Sequence, residues 1–436
     1  GLLKNDFLGI RNLAILGNAV LFVEKTMGDK IDIYKLPLDD KKVFEMLARG
    51  ETMSVFQLAG SGMTRWLKEL QPTSIHDINL MVALYRPGPM ENINEYVARK
   101  HGVKPTIYLH PAMKKFLETT YGVLVYQDDL LMTAIEVAGY TWEEVDKFRK
   151  AVGKKIPEEM AKQHQLFVAG CIKHGGLTKE KAEDIWKLFE PFQGYGFNKA
   201  HAASYGAIAY QTAYMKAHYP VQYMTAVLQA EAGDAEKVAA IVQECKRMNI
   251  EVLPPDVNES FRNFAMVSKP GEKGRIRFGL SAIKNVGEHI CEVIYAERKK
   301  NGTYKNFEDF LLRVNDKDLN KKSLESLAQA GALDCFKYDR GVLLANTENI
   351  LYFVRQAKEK TASAQNSLFA GTDITLGNKL ALKDAPSATM DEKLVWEKNL
   401  LGLYVSSHPF YFYEEILRKV LTPLSEIEEY GRDKIV

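Results

Sequence analysis

Residues 194–205 read GYGFNKAHAASY and predict the start of a helix that packs closely on one side only. Polar and aromatic residues line one face of that helix, namely His201, Ser204, Tyr205, Ile208 and Thr212. The other side is mostly alanine and glycine, which allows close helix packing and leaves the polar face free. Such a face can stack on a nucleic-acid base while Lys199 meets a phosphate. A core helix with a hydrogen-bonded histidine and a buried tyrosine hydroxyl explains the same pattern.

The sequence on either side of this stretch is typical of a mainly α-helical protein. Helical patterns follow one another from about 38 to 250, and Leu253-Pro254-Pro255-Asp256 marks a break and a plausible domain boundary. We expect a strand over 275–280, helices to about 357, a mobile linker over 358–390 and a helix over 391–404. With 436 residues, the chain exceeds the roughly 250–300 that one core supports, so we expect several units.

A capping box at Thr141 and Glu144 predicts a helix that runs to about Val152 and stops at Gly153. Arg149 falls inside its apolar stripe, where a guanidinium needs a carboxylate or phosphate partner. Over residues 147–155 the sequence holds five basic residues and no acid, a run that suits a polyphosphate or a nucleic-acid backbone. An arginine in an internal ion pair, on an otherwise solvated face, remains the alternative.

Composition excludes several classes of protein. The 58 basic and 56 acidic residues leave a net charge of +2, so global charge names no partner. No apolar run approaches the roughly 18 residues of a membrane-spanning helix, and we expect no membrane partner. The four cysteines form no metal-ligand spacing and are expected to be reduced core thiols of a cytoplasmic protein. The first residues lack an initiator Met, and we expect a cut inside a larger protein.

Several longer motifs follow one another in order: KNDFLG (4–9), VFQL (55–58), VALYRPGP (82–89), YGVLVYQ (121–127), GKKIPEEM (153–160), YGFNKAH (195–201) and KAHYP (216–220). From about Leu2 to about Pro409, the chain resembles the C-family of bacterial replicative DNA polymerases, the alpha subunits of DNA polymerase III. Many long motifs in one order make the resemblance far more specific than a single short pattern.

The resemblance implies a small strand remnant of a polymerase-beta-like nucleotidyltransferase palm (1–39) and helical fingers (40–258). Asp6 would be the third of three palm carboxylates, which hold two Mg²⁺ ions that activate the primer 3′-hydroxyl and stabilise the leaving pyrophosphate. The residues implied to bind the incoming deoxynucleoside triphosphate (dNTP) and primer-template DNA are Arg149, Lys150, Lys154, Lys155, Asn198, Lys199, His201 and Tyr205. Because the other two carboxylates would lie upstream of Gly1, we expect this chain alone not to extend primers.

Downstream, the resemblance implies a tandem helix-hairpin-helix region (259–345) that grips the backbone of duplex DNA. Its first hairpin would use Lys284, Asn285 and Gly287, and its second Gly331, although two ordinary helical hairpins remain an alternative. Asn285 stands where glycine is usual.

The last part of the chain would carry a linker (346–390) and a segment (391–436) that leads into an oligonucleotide-binding domain. The linker would hold a peptide for the beta sliding clamp, with Gln365, Leu368 and Phe369 as its contacts. Other DNA polymerase III holoenzyme subunits would be further partners, and the nucleoid in the cytoplasm would be the place of action. A non-catalytic DNA- or clamp-binding protein, or a structural helical protein, would also explain parts of the pattern.

Overall fold

Helices form most of the chain in the computed structural model, which describes residues 9–154, 157–189, 196–268, 274–314, 316–365, 380–417 and 421. The mainly α-helical class predicted from the sequence is therefore confirmed. The chain divides into two compact units, Gly1–Pro220 and Val221–Val436.

Helices are the main regular elements in the described part of the first unit. Its α-helices are α1 (Arg11–Met27), α2 (Lys41–Ala48), α3 (Ser61–Leu70), α4 (Ile75–Leu84), α5 (Glu91–Lys100), α6 (Lys114–Leu117), α7 (Gln127–Glu136), α8 (Trp142–Lys154), α9 (Pro157–Lys173), α10 (Lys179–Lys187) and α11 (Lys199–His218).

Helix α11 is the central helix of this unit and packs against α1, α2 and α4. Its small residues Ala202, Ala209 and Ala213 are buried, and Gly206 lies directly against Asn79 of α4. A side chain at Gly206 would collide with the Asn79 amide, so the close approach of α11 and α4 requires glycine there. The sequence predicts close packing through Ala203, Gly206, Ala207 and Ala213. This is confirmed for Gly206 and Ala213, whereas Ala203 is exposed and Ala207 is half-buried.

Helices α7 to α10 enclose a second core in the same unit, filled with aromatic rings. The ring centroids of Phe148 and Phe167 lie 6.3 Å apart, and those of Phe167 and Phe189 lie 5.0 Å apart. Such rings bury large apolar areas, so this core does not depend on polar contacts for its stability.

One extended segment, residues 123–126, joins the two cores. Val123, Val125 and Tyr126 belong to the core around α11, whereas Leu124 belongs to the core of α7 to α10. Successive side chains of an extended chain point in opposite directions, which explains why Leu124 differs from Val123 and Val125, whereas Tyr126 at the end of the segment shares the core of Val125. We call residues 123–126 the seam.

The second unit combines helices with a small sheet. Its elements are α12 (Pro220–Glu231), α13 (Ala235–Arg247), β1 (Val252–Leu253), β2 (Ala265–Val267), β3 (Arg275–Arg277), α14 (Glu288–Asn301), α15 (Phe307–Arg313), α16 (Lys321–Gln329), α17 (Arg340–Ala345), α18 (Thr347–Gln365), α19 (Met390–Leu401) and α20 (Glu414–Leu417). Strand β3 is central, parallel to β1 and antiparallel to β2.

Several predicted boundaries differ from the structure. Helix α8 continues through Gly153 to Lys154, so the predicted stop at Gly153 is wrong. Strand β3 ends at Arg277 instead of continuing to 280. The two units divide at Pro220, upstream of the Pro254-Pro255 break, and strand β1 before that break pairs with β3 after it.

The predicted linker is wrong at both of its described ends. Helix α18 extends to Gln365, beyond the predicted end near 357. Residues 380–389 have no regular structure, but they are held in place by hydrogen bonds. Two of these are the Leu380 amide to Glu308, at 2.9 Å, and the Ala388 amide to Asp339, at 2.7 Å.

Among the described residues, none of the helices has both the length and the apolar character that a membrane span would need.

Candidate nucleic-acid and nucleotide interface

The N-terminus of α11 is held by hydrogen bonds to the segment that follows the seam. Asn198 caps the helix, since its Oδ1 accepts from the His201 amide at 2.8 Å. The Lys199 amide donates to Asp128 Oδ2 at 3.1 Å, and the Gln127 amide donates to the Phe197 carbonyl at 2.9 Å. These contacts fix the start of α11 against the start of α7.

A continuous series of rings runs along the exposed end of α11. The Arg86 guanidinium lies 3.8 Å from the centroid of the Phe197 ring. The ring of Phe197 lies 5.4 Å from that of His201, His201 lies 4.2 Å from Tyr205, and Tyr205 lies 5.3 Å from Phe56. We call these five side chains the aromatic ladder. Its cation–π contact and ring pairs hold the His201 imidazole between two neighbours.

Burial along this face of α11 increases from its first turn to its middle. His201 and Ser204 are exposed, and Tyr205 and Ile208 are half-buried. Thr212 is fully buried and its hydroxyl oxygen accepts from the Phe56 amide at 3.1 Å. The first turns of α11 are exposed, as a face that stacks on a base would need. Its middle is buried, as the alternative interpretation of a core helix predicts.

Lys199 is exposed beside the ladder, and its ammonium lies 5.5 Å from the centroid of the Tyr126 ring. Asp129 lies buried nearby, with Oδ2 accepting from the amides of Val125 and Tyr126 at 3.0 and 2.9 Å. Burial raises the pKa of Asp129 to about 6, even though these hydrogen bonds favour the ionised form. A buried carboxylate thus lies just behind the cationic end of α11.

The basic run on α8 is paired with acids from the preceding turns. Arg149 is exposed and donates to Asp146 at 2.8 Å, so its predicted place in the buried stripe is wrong. Lys150 lies 2.7 Å from the same Asp146 carboxylate, and Lys147 lies 3.4 Å from Glu143. Hydrogen bonds from Lys150 and Arg149 lower the pKa of Asp146.

The apolar stripe of α8 explains why Arg149 is not buried. Val145, Phe148 and Val152 are buried as predicted, but Ala151 is buried as well. At about 100° per residue, Ala151 moves the centre of the buried arc away from Arg149, which is left at its edge.

Some predicted site residues cannot be placed. Asp6, Lys155, Leu368 and Phe369 lie outside the described residues, whereas Lys154 and Gln365 are the last residues of α8 and α18.

The first predicted hairpin lies on the surface of the second unit. Lys284, Asn285 and Gly287 are all exposed, and Gly287 directly precedes α14. The φ of Asn285 is +69°, a left-handed conformation that asparagine adopts more readily than most residues. Asparagine therefore takes over the conformation that the usual glycine would supply. The Lys284 amide donates to the Leu400 carbonyl at 3.0 Å, and the Lys284 side chain is exposed.

The second predicted hairpin is buried, which is a correction. Gly331 is buried with a φ of +81°, and its amide donates to the Ala328 carbonyl at 3.1 Å. A side chain at Gly331 would collide with the guanidinium of Arg340. Arg340 is itself buried and donates to Asp334 at 2.7 Å and to Glu397 at 2.9 Å. This turn serves internal packing, and its geometry does not offer Gly331 to DNA.

Among the described residues, one set of three side chains has the types and spacing of metal ligands: His289, Asp316 and Asp318. Their potential ligand atoms lie within 4.8 Å of one another. His289 Nε2 already lies 3.1 Å from Asp316, so a surface ion pair accounts for this contact.

Arg86, Phe56 and Phe197 belong to the ladder but were not predicted as site residues. All three stand in motifs that the sequence analysis quoted, at 82–89, 55–58 and 195–201. Phe56 and Arg86 are far from α11 along the chain, so its own sequence shows no sign of their contact, whereas Phe197 lies just before the helix. A search for arginine and aromatic residues within those motifs would have found them.

Comparisons with known proteins agree with this architecture. A family model described as the bacterial DNA polymerase III alpha subunit finger domain matches residues 12–175, and a helix-hairpin-helix model matches residues 249–343. DNA polymerase III subunit alpha of Thermus aquaticus is 43% identical over 438 residues, covering 99% of this chain and 35% of that protein. The protein of the same name from Xylella fastidiosa (strain Temecula1) is 40% identical, covering 97% of this chain and 35% of its own length. In Neisseria meningitidis serogroup B the identity is 39%, over 96% of this chain and 36% of the relative.

The chain thus spans about a third of the length of the curated relatives it matches. The two matched domains follow one another in the order that the structure shows, one helical unit and then one that carries the hairpins. The chain belongs to the family of bacterial DNA polymerase III alpha subunits.

Proposed function

We propose that this chain supplies nucleotide and duplex binding to a DNA-directed DNA polymerase, which extends the 3′ end of a primer during chromosomal replication. The observation that carries the proposal is the aromatic ladder beside an exposed lysine at the N-terminus of α11. An exposed ring held between two neighbours loses little conformational entropy when a base stacks on it.

His201 and Tyr205 are the ladder residues that would meet the nascent base pair, since their rings lie at its centre. Lys199 would meet a phosphate, helped by the positive end of the α11 dipole. Asn198 would hold that end in place through its cap to the His201 amide. Stacking accepts any base, so this geometry suits an enzyme that must handle all four nucleotides.

Arg149 and Lys150 would bind the triphosphate or the template backbone by exchanging their present partner. Both cations share the single carboxylate of Asp146, and all three side chains are more than 40% exposed. Exposed ion pairs contribute only about 0–1 kcal/mol, so a phosphate with more charge and more acceptors can replace Asp146. We also propose phosphate contacts for Lys154, the last residue of α8, and for Lys155, which lies outside the described residues.

In the second unit, Lys284, Asn285 and Gly287 would contact the backbone of duplex DNA without reading bases. Their exposure supports this role, and the buried Gly331 is left out of it.

The chemistry would depend on two Mg²⁺ ions, which activate the 3′-hydroxyl and stabilise the leaving pyrophosphate when bound. Asp6, the residue that the resemblance assigns to them, lies outside the described residues. We further propose the beta sliding clamp as a partner through Gln365, Leu368 and Phe369, with other holoenzyme subunits, at the nucleoid in the cytoplasm.

Binding of the full chain to a fluorescent primer-template duplex tests the proposal, with dNTP present and salt varied. Tyr205→Ala should weaken binding about tenfold or more, because stacking contributes roughly 1–3 kcal/mol per base. Tyr34→Ala removes a tyrosine that is 90% exposed and lies outside the ladder, so it is the matched control.

Lys199→Ala should reduce the slope of log K against log salt by about 0.9, the effect of one lost phosphate contact. Lys35→Ala, which removes an exposed lysine 3.4 Å from Asp32, should leave the slope unchanged. Equal affinities and slopes in site and control variants would refute the assignment of this face.

A further inference from the structure

A cavity of about 310 Å³ lies in the first unit, away from the aromatic ladder. It is lined by α5, by the seam and its preceding glycine, by the 107–113 segment and by the end of α10. Its volume is at the lower end of the range for small-molecule sites, roughly 300–1,000 Å³.

Most of the wall is apolar. Met113, Val123 and Leu124 are buried, whereas Ile107, Leu109 and Leu188 are partly exposed. Ile107 is 53% exposed and Leu188 is 38% exposed, so apolar surface continues from the cavity to solvent. An apolar ligand body would therefore be covered on several sides.

The polar part of the wall is cationic. The lining holds two cations, Arg99 and Lys187, and one anion, Glu95. Lys187 also pairs with Asp184 at 3.0 Å and Glu95 with Lys104 at 2.5 Å, so the lining and these partners together keep one net positive charge. The Arg99 side chain is only 15% exposed, with Nε 2.8 Å from Glu95 and Nη1 donating to the Tyr121 carbonyl at 3.0 Å. Its Nη2 makes no hydrogen bond to any residue that the structure describes. One face of a rigid, positioned donor group is thus available to a ligand.

Gly122, the residue before the seam, forms the cavity wall beside Arg99. Gly122 has a φ of +77°, and a side chain there would come within 2.5 Å of the Ile107 carbonyl and 3.0 Å of Arg99 Nη1. Glycine therefore allows the backbone at 122 to approach the Ile107 carbonyl and the guanidinium closely.

We propose that this cavity binds a small amphipathic carboxylate, with its apolar body against Met113 and Leu124 and its carboxylate at Arg99. One net positive charge and apolar walls suit a monoanion with a hydrocarbon body. They do not suit a triphosphate, whose several charges would lack partners here. The ligand would contact Val123 and Leu124 together, one residue from each core of the unit. Binding at this place does not depend on the proposed polymerase function.

Decanoate is a probe of this chemistry, and decanamide is its neutral counterpart of similar shape. Both are titrated into the full chain with ¹³C-labelled methionine methyl groups, and Met113 is assigned with Met113→Leu. Because Met113 is 1% exposed and lines the cavity, its methyl resonance should shift and saturate with decanoate. Decanamide should bind about tenfold more weakly, since it lacks a charge-assisted hydrogen bond.

Two pairs of variants locate the site. Leu188→Trp should fill the mouth and abolish the saturable shift, whereas Leu166→Trp, at a 50% exposed position on α9, should not. Lys187→Gln should weaken decanoate binding several-fold, whereas Lys181→Gln on the same helix should leave it unchanged.

Three results would overturn the proposal: no saturable shift of Met113, equal affinity for the acid and the amide, or a shift that persists in Leu188→Trp. Since the readout is a methyl resonance in the cavity, it is unaffected by whether the chain binds DNA.

Discussion

Asp129 should make the first unit less stable as the pH rises from acid to neutral. The carboxylate is 1% exposed, and burial raises its pKa from 3.8 to about 6. Asp129→Asn keeps an oxygen that can accept from the Val125 and Tyr126 amides and removes the buried negative charge.

The size of the change in unfolding free energy follows from the difference between the pKa of Asp129 in the unfolded chain and its pKa in the folded chain. A rise from 3.8 to about 6 corresponds to about 3 kcal/mol of unfavourable free energy once the group is ionised in both states. Because the folded state binds its proton more tightly, stability is greatest below pH 3.8, falls between 3.8 and about 6, and is constant above that. Between about pH 4.5 and about pH 7, roughly 2 kcal/mol of the change should be seen.

Urea denaturation of wild type and Asp129→Asn at both pH values measures this difference. The introduced amide changes the free energy of unfolding by an amount that does not depend on pH. The quantity to compare is therefore how the difference in unfolding free energy between wild type and variant changes with pH. We expect the variant to gain about 2 kcal/mol relative to wild type from the lower to the higher pH.

Asp77→Asn is a suitable control for the same measurement. Asp77 is also buried, but it lies 2.7 Å from Lys100 and accepts from Tyr96 at 2.6 Å. Although burial opposes ionisation, these hydrogen bonds lower its pKa below 3.8, so its stabilisation is lost only as the pH falls through that lower value. The cost of Asp77→Asn should therefore be constant across the interval. If the gap for Asp129→Asn is equally constant, the Asp129 carboxylate is ionised throughout and the reasoning is wrong.

Three further predictions concern other parts of the chain. Arg340→Ala leaves the buried Glu397 charge unpaired and should cost about 3–5 kcal/mol in urea denaturation, whereas a loss below 1 kcal/mol would contradict the pairing. Asn285→Val places a β-branched residue at a φ of +69° and should cost about 1–2 kcal/mol by the same method, with Asn285→Gly near neutral as its control. Burial raises the pKa of the Cys171 and Cys335 thiols to about 12, so iodoacetamide at mildly alkaline pH should alkylate them only after denaturation; rapid alkylation of the native chain would contradict this.

Local signals in the sequence predicted some features correctly. The capping box at Thr141 and Glu144 forms with both of its hydrogen bonds, at 2.8 and 3.3 Å. Both partners lie within one turn, so nothing distant can alter the pattern. On α11 the predicted close packing is right for Gly206 and Ala213 and wrong for Ala203, which is exposed, because small residues occur on both sides of this helix.

The predicted linker failed because composition was treated as evidence of disorder. Residues 357–365 read AKEKTASAQ, and alanine, lysine, glutamate and glutamine all favour helix, so α18 continues through them. Residues 380–389 are held by Glu308, Asn346 and Asp339, which lie tens of residues earlier in the chain. No property of the linker sequence itself could predict those partners.

The two hairpins show that local sequence predicts the backbone conformation of a turn but not its exposure. Each contains a residue with positive φ, Asn285 at +69° and Gly331 at +81°, so each is the tight turn that the sequence predicts. Only the first is exposed, because Arg340 covers the second while pairing with Glu397, a residue in α19. A short turn pattern fixes backbone conformation, whereas exposure depends on residues far along the chain. Since a phosphate can bind only an exposed turn, the proposed DNA contact is restricted to the first hairpin, while the second packs internally.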